Sequence, residues 1–169
     1  KEEIADFVRA VSPILTDMFE LYLKKRCGID IEKYLVKIPE YRTLKLTRNL
    51  MPGEVLNILD KEYESVGGFK DSDPCAANLY PLIVEKGDKK AGDIASNLRL
   101  FERNARNIAA HDVVAVTENW IKDKTGFETS EIFKMLKEFF SITVGIIPKD
   151  AWDSYDRLND AIIKIPLVK

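Results

Sequence analysis

Residues Phe101–Trp120 read FERNARNIAAHDVVAVTENW. Within this stretch Arg106-Asn107-Ile108-Ala109-Ala110-His111 has the form R-N-x-x-x-H, and His111 is the only histidine in 169 residues. Ile94, Leu98, Phe101, Ala105, Ile108 and Val116 fall on one helical stripe. The pattern predicts one helix from Ala91 to about Lys122, the longest in the chain. Asp112 falls on the same stripe, directly after His111. A charge there is costly unless paired. Either the helix bends near His111 or Asp112 has a buried partner.

Outward from this stretch the chain reads as further helices. Upstream, Ile4, Phe7, Val8, Val11, Leu15, Met18, Phe19 and Tyr22 have helical spacing, and Cys27-Gly28 ends the run. Ser12-Pro13 interrupts it, either as the cap and first position of a second segment or as a kink. Ile31–Ile38 fits a short helix or an extended piece. Tyr41–Leu50 allows a strand or a helical turn, and irregular structure or short helices is the favoured expectation for this region. Met51-Pro52-Gly53 opens a helix with Val55, Ile58, Leu59 and Tyr63 on one side, closed by Gly67-Gly68. Asp73 and Pro74 are expected to cap the next helix, which runs to about Glu85 with a kink at Pro81.

Downstream, Asp123–Glu128 reads as a loop. Thr129-Ser130-Glu131 is expected to cap a helix with Ile132, Phe133, Leu136, Phe139 and Phe140 on its core face, broken at Ile147-Pro148. A last helix is expected from about Asp150, with Trp152, Tyr155, Leu158, Ile162 and Ile163. The reading is an all-α chain of five to seven helices packed as one bundle-like domain over residues 1–169.

Composition agrees with a folded domain: 46% of residues are hydrophobic and 32% charged. No apolar run reaches the length of a membrane span, and no signal peptide is visible, so a cytoplasmic location is expected. Cys27 and Cys75 form no C-x-x-C pair, and with one histidine they make a poor zinc set. Buried free thiols are expected, and no cofactor is. The net charge of −2 argues against a broad surface for coating nucleic acid. A local basic cleft remains open: Lys89, Lys90, Arg99, Arg103 and Arg106 fall within eighteen residues, opposed only by Asp93 and Glu102.

On an unbroken helix Arg103, Asn107 and His111 form a polar row opposite the apolar stripe, with Arg106 beside it. No other constellation competes. There is no Gly-rich phosphate loop, Ser12 and Ser141 have no histidine nearby in sequence, and Asp71, Asp73 and Asp88 are scattered loop or cap acids.

The R-N-x-x-x-H string resembles the HEPN superfamily, whose signature is R-x(4–6)-H, commonly with a polar residue straight after the arginine. Within that superfamily it looks most like the C-terminal domain of the ancillary ribonucleases of type III CRISPR systems. The resemblance implies a metal-independent endoribonuclease acting on single-stranded RNA in antiviral defence. It implies Arg106, Asn107 and His111 as catalytic residues and a composite site in which the motifs pair across a homodimer. Arg103 and Arg99 are expected to hold RNA phosphates. The family's activator, a cyclic oligoadenylate, binds an N-terminal sensor domain. No sensor fold is legible in these residues, and the chain opens on Lys1 rather than Met, so a fragment of a longer protein is expected. Two alternatives stand: a HEPN toxin held in check by a nucleotidyltransferase-like partner, and a non-catalytic helical dimerisation domain.

Overall fold

The computed structural model describes residues 2–38, 43–106, 116–145, 147 and 151–153. Among them are six α-helices: α1 Glu2–Tyr22, α2 Gly53–Glu62, α3 Ala76–Lys86, α4 Lys89–Phe101, α5 Glu118–Thr125 and α6 Thr129–Val144. One antiparallel hairpin, β1 Leu35–Ile38 with β2 Thr43–Leu46, pairs Leu35 with Leu46 and Ile38 with Thr43. The all-α expectation holds, with this small hairpin as the exception. It forms where irregular structure or short helices were favoured. Leu46 explains why the piece is extended: it is buried, and its backbone also pairs with Ser72 across the loop after α2.

The core centres on α1, which buries Val8, Val11, Leu15, Phe19 and Tyr22. It packs against α3, α6 and the helical turn that follows α4. Phe19 and Tyr22 both meet the ring of Phe139, at centroid distances of 5.3 and 5.2 Å. Of the two alternatives at Ser12-Pro13, a new segment does not form: α1 is one helix with Pro13 inside it. A proline inside a helix costs about 3 kcal/mol, whereas each large apolar side chain fully buried contributes about 1.5–3 kcal/mol. Pro13 is exposed while Val11 and Leu15 on either side are fully buried, so burial prevails.

Other boundaries shift for local reasons. The α3 helix starts at Ala76, with Cys75 rather than Asp73 at its cap. Asp73 instead presents its carbonyl to the buried Asn78 amide at 3.0 Å, while Asn78 also reaches Ser72 and accepts from the Tyr63 hydroxyl. The α2 helix stops at Glu62, and a single 3-10 turn, Glu64–Val66, leads to Gly67 at φ 85°. Glu128, not Thr129, caps α6, with the Glu131 carboxylate accepting the Glu128 N–H at 2.8 Å. At the far end of α6, the Arg26 Nε donates to the carbonyls of Ile142 and Thr143 and closes the helix terminus. The expected loop at Asp123–Glu128 begins only after Thr125, the last residue of α5. Of the expected final helix, Ala151–Asp153 forms a 3-10 turn with Trp152 edge-on to Phe140; Tyr155, Leu158, Ile162 and Ile163 lie outside the described residues.

Both cysteines are free and half-buried. Burial raises the Cys27 thiol above its ordinary pKa. Among the described residues no helix is long and apolar enough to cross a membrane.

Candidate active site

The α4 helix carries the chain toward the R-N-x-x-x-H motif. Its first turn is fixed by Asp88, whose carboxylate accepts the Ala91 N–H at 2.9 Å and the Tyr22 hydroxyl at 3.0 Å. The Ala91 N–H, above all, holds the Asp88 carboxyl below its usual range, because both donors favour the charged form. From there Ala91, Ile94, Ala95, Leu98 and Phe101 are buried, as the apolar stripe predicts.

At Glu102 the geometry changes. Residues Glu102–Arg106 form a π-helical turn, in which each backbone bond spans one residue more than in an α-helix. The turn places Phe101, Glu102 and Ala105 all inward. Arg106 is its last residue.

Glu102 is the charged residue that the turn buries, with its side chain 6% exposed. One carboxylate oxygen accepts the Ser12 hydroxyl of α1 at 2.5 Å. The other accepts Arg99 Nη1 at 2.9 Å. Sequence reading pointed to Asp112 as the charge needing a buried partner; Asp112 lies outside the described residues, and Glu102 was counted only as an acid opposing the basic cluster. Ser12 was read as a helix cap. Neither the π-turn nor this pairing leaves a periodic signal.

The expected polar row of Arg103, Asn107 and His111 assumed α spacing throughout. The π-turn spans Arg103 and Arg106, so that projection does not carry across it. Asn107, His111 and the side chain of Arg106 lie outside the described residues. The expectation of one helix through Lys122 is corrected. Thr117 is extended at φ −128° and ψ 163°, and its hydroxyl accepts the Trp120 N–H at the start of α5. Thr117 is thus a helix start inside a stripe that reads as continuous, and its β-branched side chain suits the cap better than a helix interior.

Arg99 and Arg103 share a groove of about 480 Å³ between α2, α3 and α4, together with Tyr63, Tyr80, Ser96 and Asn97. Arg103 is exposed, and its Nε faces the neighbouring Asn104 at 3.4 Å. Arg99 is mostly covered and committed in part to Glu102. A guanidinium carries five donors in a fixed fork, so an Arg99 anchored on Glu102 still has donors to offer the groove. Lys90, from the same basic cluster, pairs with Glu138 at 2.6 Å. Among its described side chains the cluster therefore resolves into one exposed arginine, one anchored arginine, a lysine paired with another helix and an exposed Lys89.

The described residues form an all-α bundle with one small hairpin, and the R-N-x-x-x-H string begins at the last residue of its π-turn. The model of the Cas_Csm6 HEPN domain family matches residues 1–163, and the chain belongs to that family. It is thus a HEPN domain of the type III CRISPR-associated ribonucleases. No curated protein matches the chain.

Proposed function

We propose that the chain is a metal-independent endoribonuclease that cuts single-stranded RNA by internal transphosphorylation, with Arg106, Asn107 and His111 as its catalytic residues. The observation that carries this reading is the family match over a chain whose only histidine ends R-N-x-x-x-H.

The chemistry follows from what each side chain can do. The RNA 2′-oxygen attacks the adjacent phosphorus as its proton leaves, the bond from phosphorus to the 5′-oxygen breaks, and that oxygen takes up a proton. The products are a 2′,3′-cyclic phosphate and a 5′-hydroxyl. An imidazole ordinarily titrates near neutrality, which suits His111 to one of the two proton transfers. Arg106 keeps its charge at any working pH and holds the negative charge that builds on the phosphate oxygens. Asn107 does not titrate, and it orients His111 or binds a phosphate oxygen. Two proton transfers call for two titrating groups, and each chain has one histidine. A twofold homodimer supplies the second.

The groove walled by Arg99 and Arg103 supports a path for neighbouring phosphates of the strand. In this reading a cyclic oligoadenylate activator acts on a separate sensor domain, and the work is done in the cytoplasm as antiviral defence. The family match weighs against a toxin of a toxin–antitoxin pair.

The test is the rate of cleavage of a labelled single-stranded RNA. His111→Ala and Arg106→Ala are each expected to lower it by about a hundredfold or more, the scale for losing a general acid–base group or a charge clamp. Full activity in folded His111→Ala would refute the assignment.

A further inference from the structure

The chemistry above makes no use of Glu102, yet this is the one buried charged side chain among the described residues. A carboxylate withdrawn from water destabilises the fold unless it is paired and hydrogen-bonded. Glu102 meets that condition through two different elements. The Ser12 hydroxyl reaches it from α1 across ninety positions of sequence at 2.5 Å, and Arg99 reaches it from one turn earlier in the helix at 2.9 Å. It is also the first residue of the π-turn that ends at Arg106.

These facts are linked. A π-turn is rare, because the α alternative is favoured for most sequences, and it persists where surrounding contacts demand it. Here the demand is visible. Phe101 and Glu102 are adjacent, and both face inward, one fully buried in the apolar core and one on Ser12. Ser12 and Arg99 thus hold the residue at which the α-helix widens into the π-turn. Without the Ser12 bond, a buried Glu102 would lose its tie to α1.

We infer that Glu102, tied to Ser12, is a positioning residue: it holds the π-turn that ends at Arg106 and thereby sets how Arg106 and His111 are presented to the scissile phosphate. This rests on the ribonuclease reading. Arg99 has a double part, steadying Glu102 while standing on the wall of the groove.

The test uses the full chain with Ser12→Ala, Ser12→Thr, Glu102→Gln and His111→Ala. Two readouts are taken: kcat and KM on single-stranded RNA, and the proton resonance of the imidazole ring, which needs no assignment because the chain has one histidine. Ser12→Ala and Glu102→Gln are each expected to lower kcat by about tenfold to a hundredfold, the cost of misplacing a reacting group by around 1 Å, with KM within about twofold. Each should move the His111 resonance and its titration midpoint. The double variant Ser12→Ala with Glu102→Gln should be no worse than the poorer single one, since both changes weaken the same contact. Ser12→Thr keeps the hydroxyl and should restore kcat.

Wild-type kcat together with an unmoved His111 resonance in folded Ser12→Ala would overturn the inference. If Glu102→Gln fails to fold, Ser12→Ala decides, since it removes only a half-buried hydroxyl in favour of a strong helix former. If His111→Ala cleaves RNA as well as wild type, the assignment of His111 as a catalytic residue fails instead. The His111 resonance in Ser12→Ala then still decides the positioning claim, a shift supporting it and no shift overturning it.

Discussion

Asp88 shows how one side chain can join two helices. It caps α4 through the Ala91 N–H and takes the hydroxyl of Tyr22 from the end of α1. Its depressed pKa means that folding favours the charged form, so its contribution is complete above the ordinary carboxylate range and lost as pH falls through the folded value. Asp88→Ala should cost about 1 kcal/mol at neutral pH, the usual loss for an N-cap. The deficit should shrink near pH 3, as urea melts at the two pH values would report; an equal deficit at both would contradict the assignment. Tyr22 works in the opposite direction. Burial, foremost, pushes its phenol up to about 12, so its contribution is intact below the ordinary phenol value and disappears as pH rises through about 12. Asp88 was legible in the sequence as a loop or cap acid, whereas its partner Tyr22, 66 positions away, was legible only as a core residue.

At the scale of elements, the short connection between α3 and α4 constrains two glycines in opposite ways. A Cβ on Gly87 would stand 2.5 Å from the Ile83 carbonyl and 2.9 Å from the Tyr22 hydroxyl, whereas one on Gly92 would meet nothing closer than Val84 Cα at 3.7 Å. Gly87→Ala should therefore destabilise by about 1–3 kcal/mol, as overpacking does. Gly92→Ala, inside α4, should stabilise by about 0.5–1 kcal/mol. Thermal melts of both variants check this, and a neutral Gly87→Ala would show that the connection is looser than described. The same elements mark how far sequence reading reached. Apolar periodicity located α1, α2, α4 and α6, because each buries a stripe at helical spacing, and the Asp73-Pro74 start signal located α3. It left the hairpin as an alternative to irregular structure: Leu44 and Leu46 alternate enough to allow a strand, but the strands are four residues each and leave Val36 and Leu44 exposed, so the pattern does not decide it. It carried α4 through Thr117 because Val116 keeps the phase of the stripe; the cap at Thr117 is a matter of one hydroxyl and one N–H. It could not see the π-turn, which depends on a hydroxyl supplied by α1. The motif residues themselves were legible as a string, while their presentation depends on that turn.

At the scale of the whole molecule, the proposed chemistry requires two chains. Mixing His111→Ala chains with wild-type chains, once exchange is confirmed, should depress activity beyond simple dilution, because mixed dimers carry an incomplete pair of motifs. A fall that follows the wild-type fraction alone would mean independent sites. Arg103, exposed on the groove, should add to the salt dependence of RNA binding, by about 0.7 in the log–log slope for each phosphate it neutralises. An unchanged slope in Arg103→Gln would remove the groove from the RNA path. The central claim is that the RNA's own 2′-hydroxyl is the nucleophile. Its most direct measurement is cleavage, in EDTA, of matched single strands that differ by one 2′-deoxy sugar at the scissile position, with the product ends identified. The account predicts that the all-ribose strand is cut to a 2′,3′-cyclic phosphate and a 5′-hydroxyl, and that the 2′-deoxy strand is left intact at that position. Cleavage that needs magnesium, or equal cleavage of the 2′-deoxy strand, would contradict it.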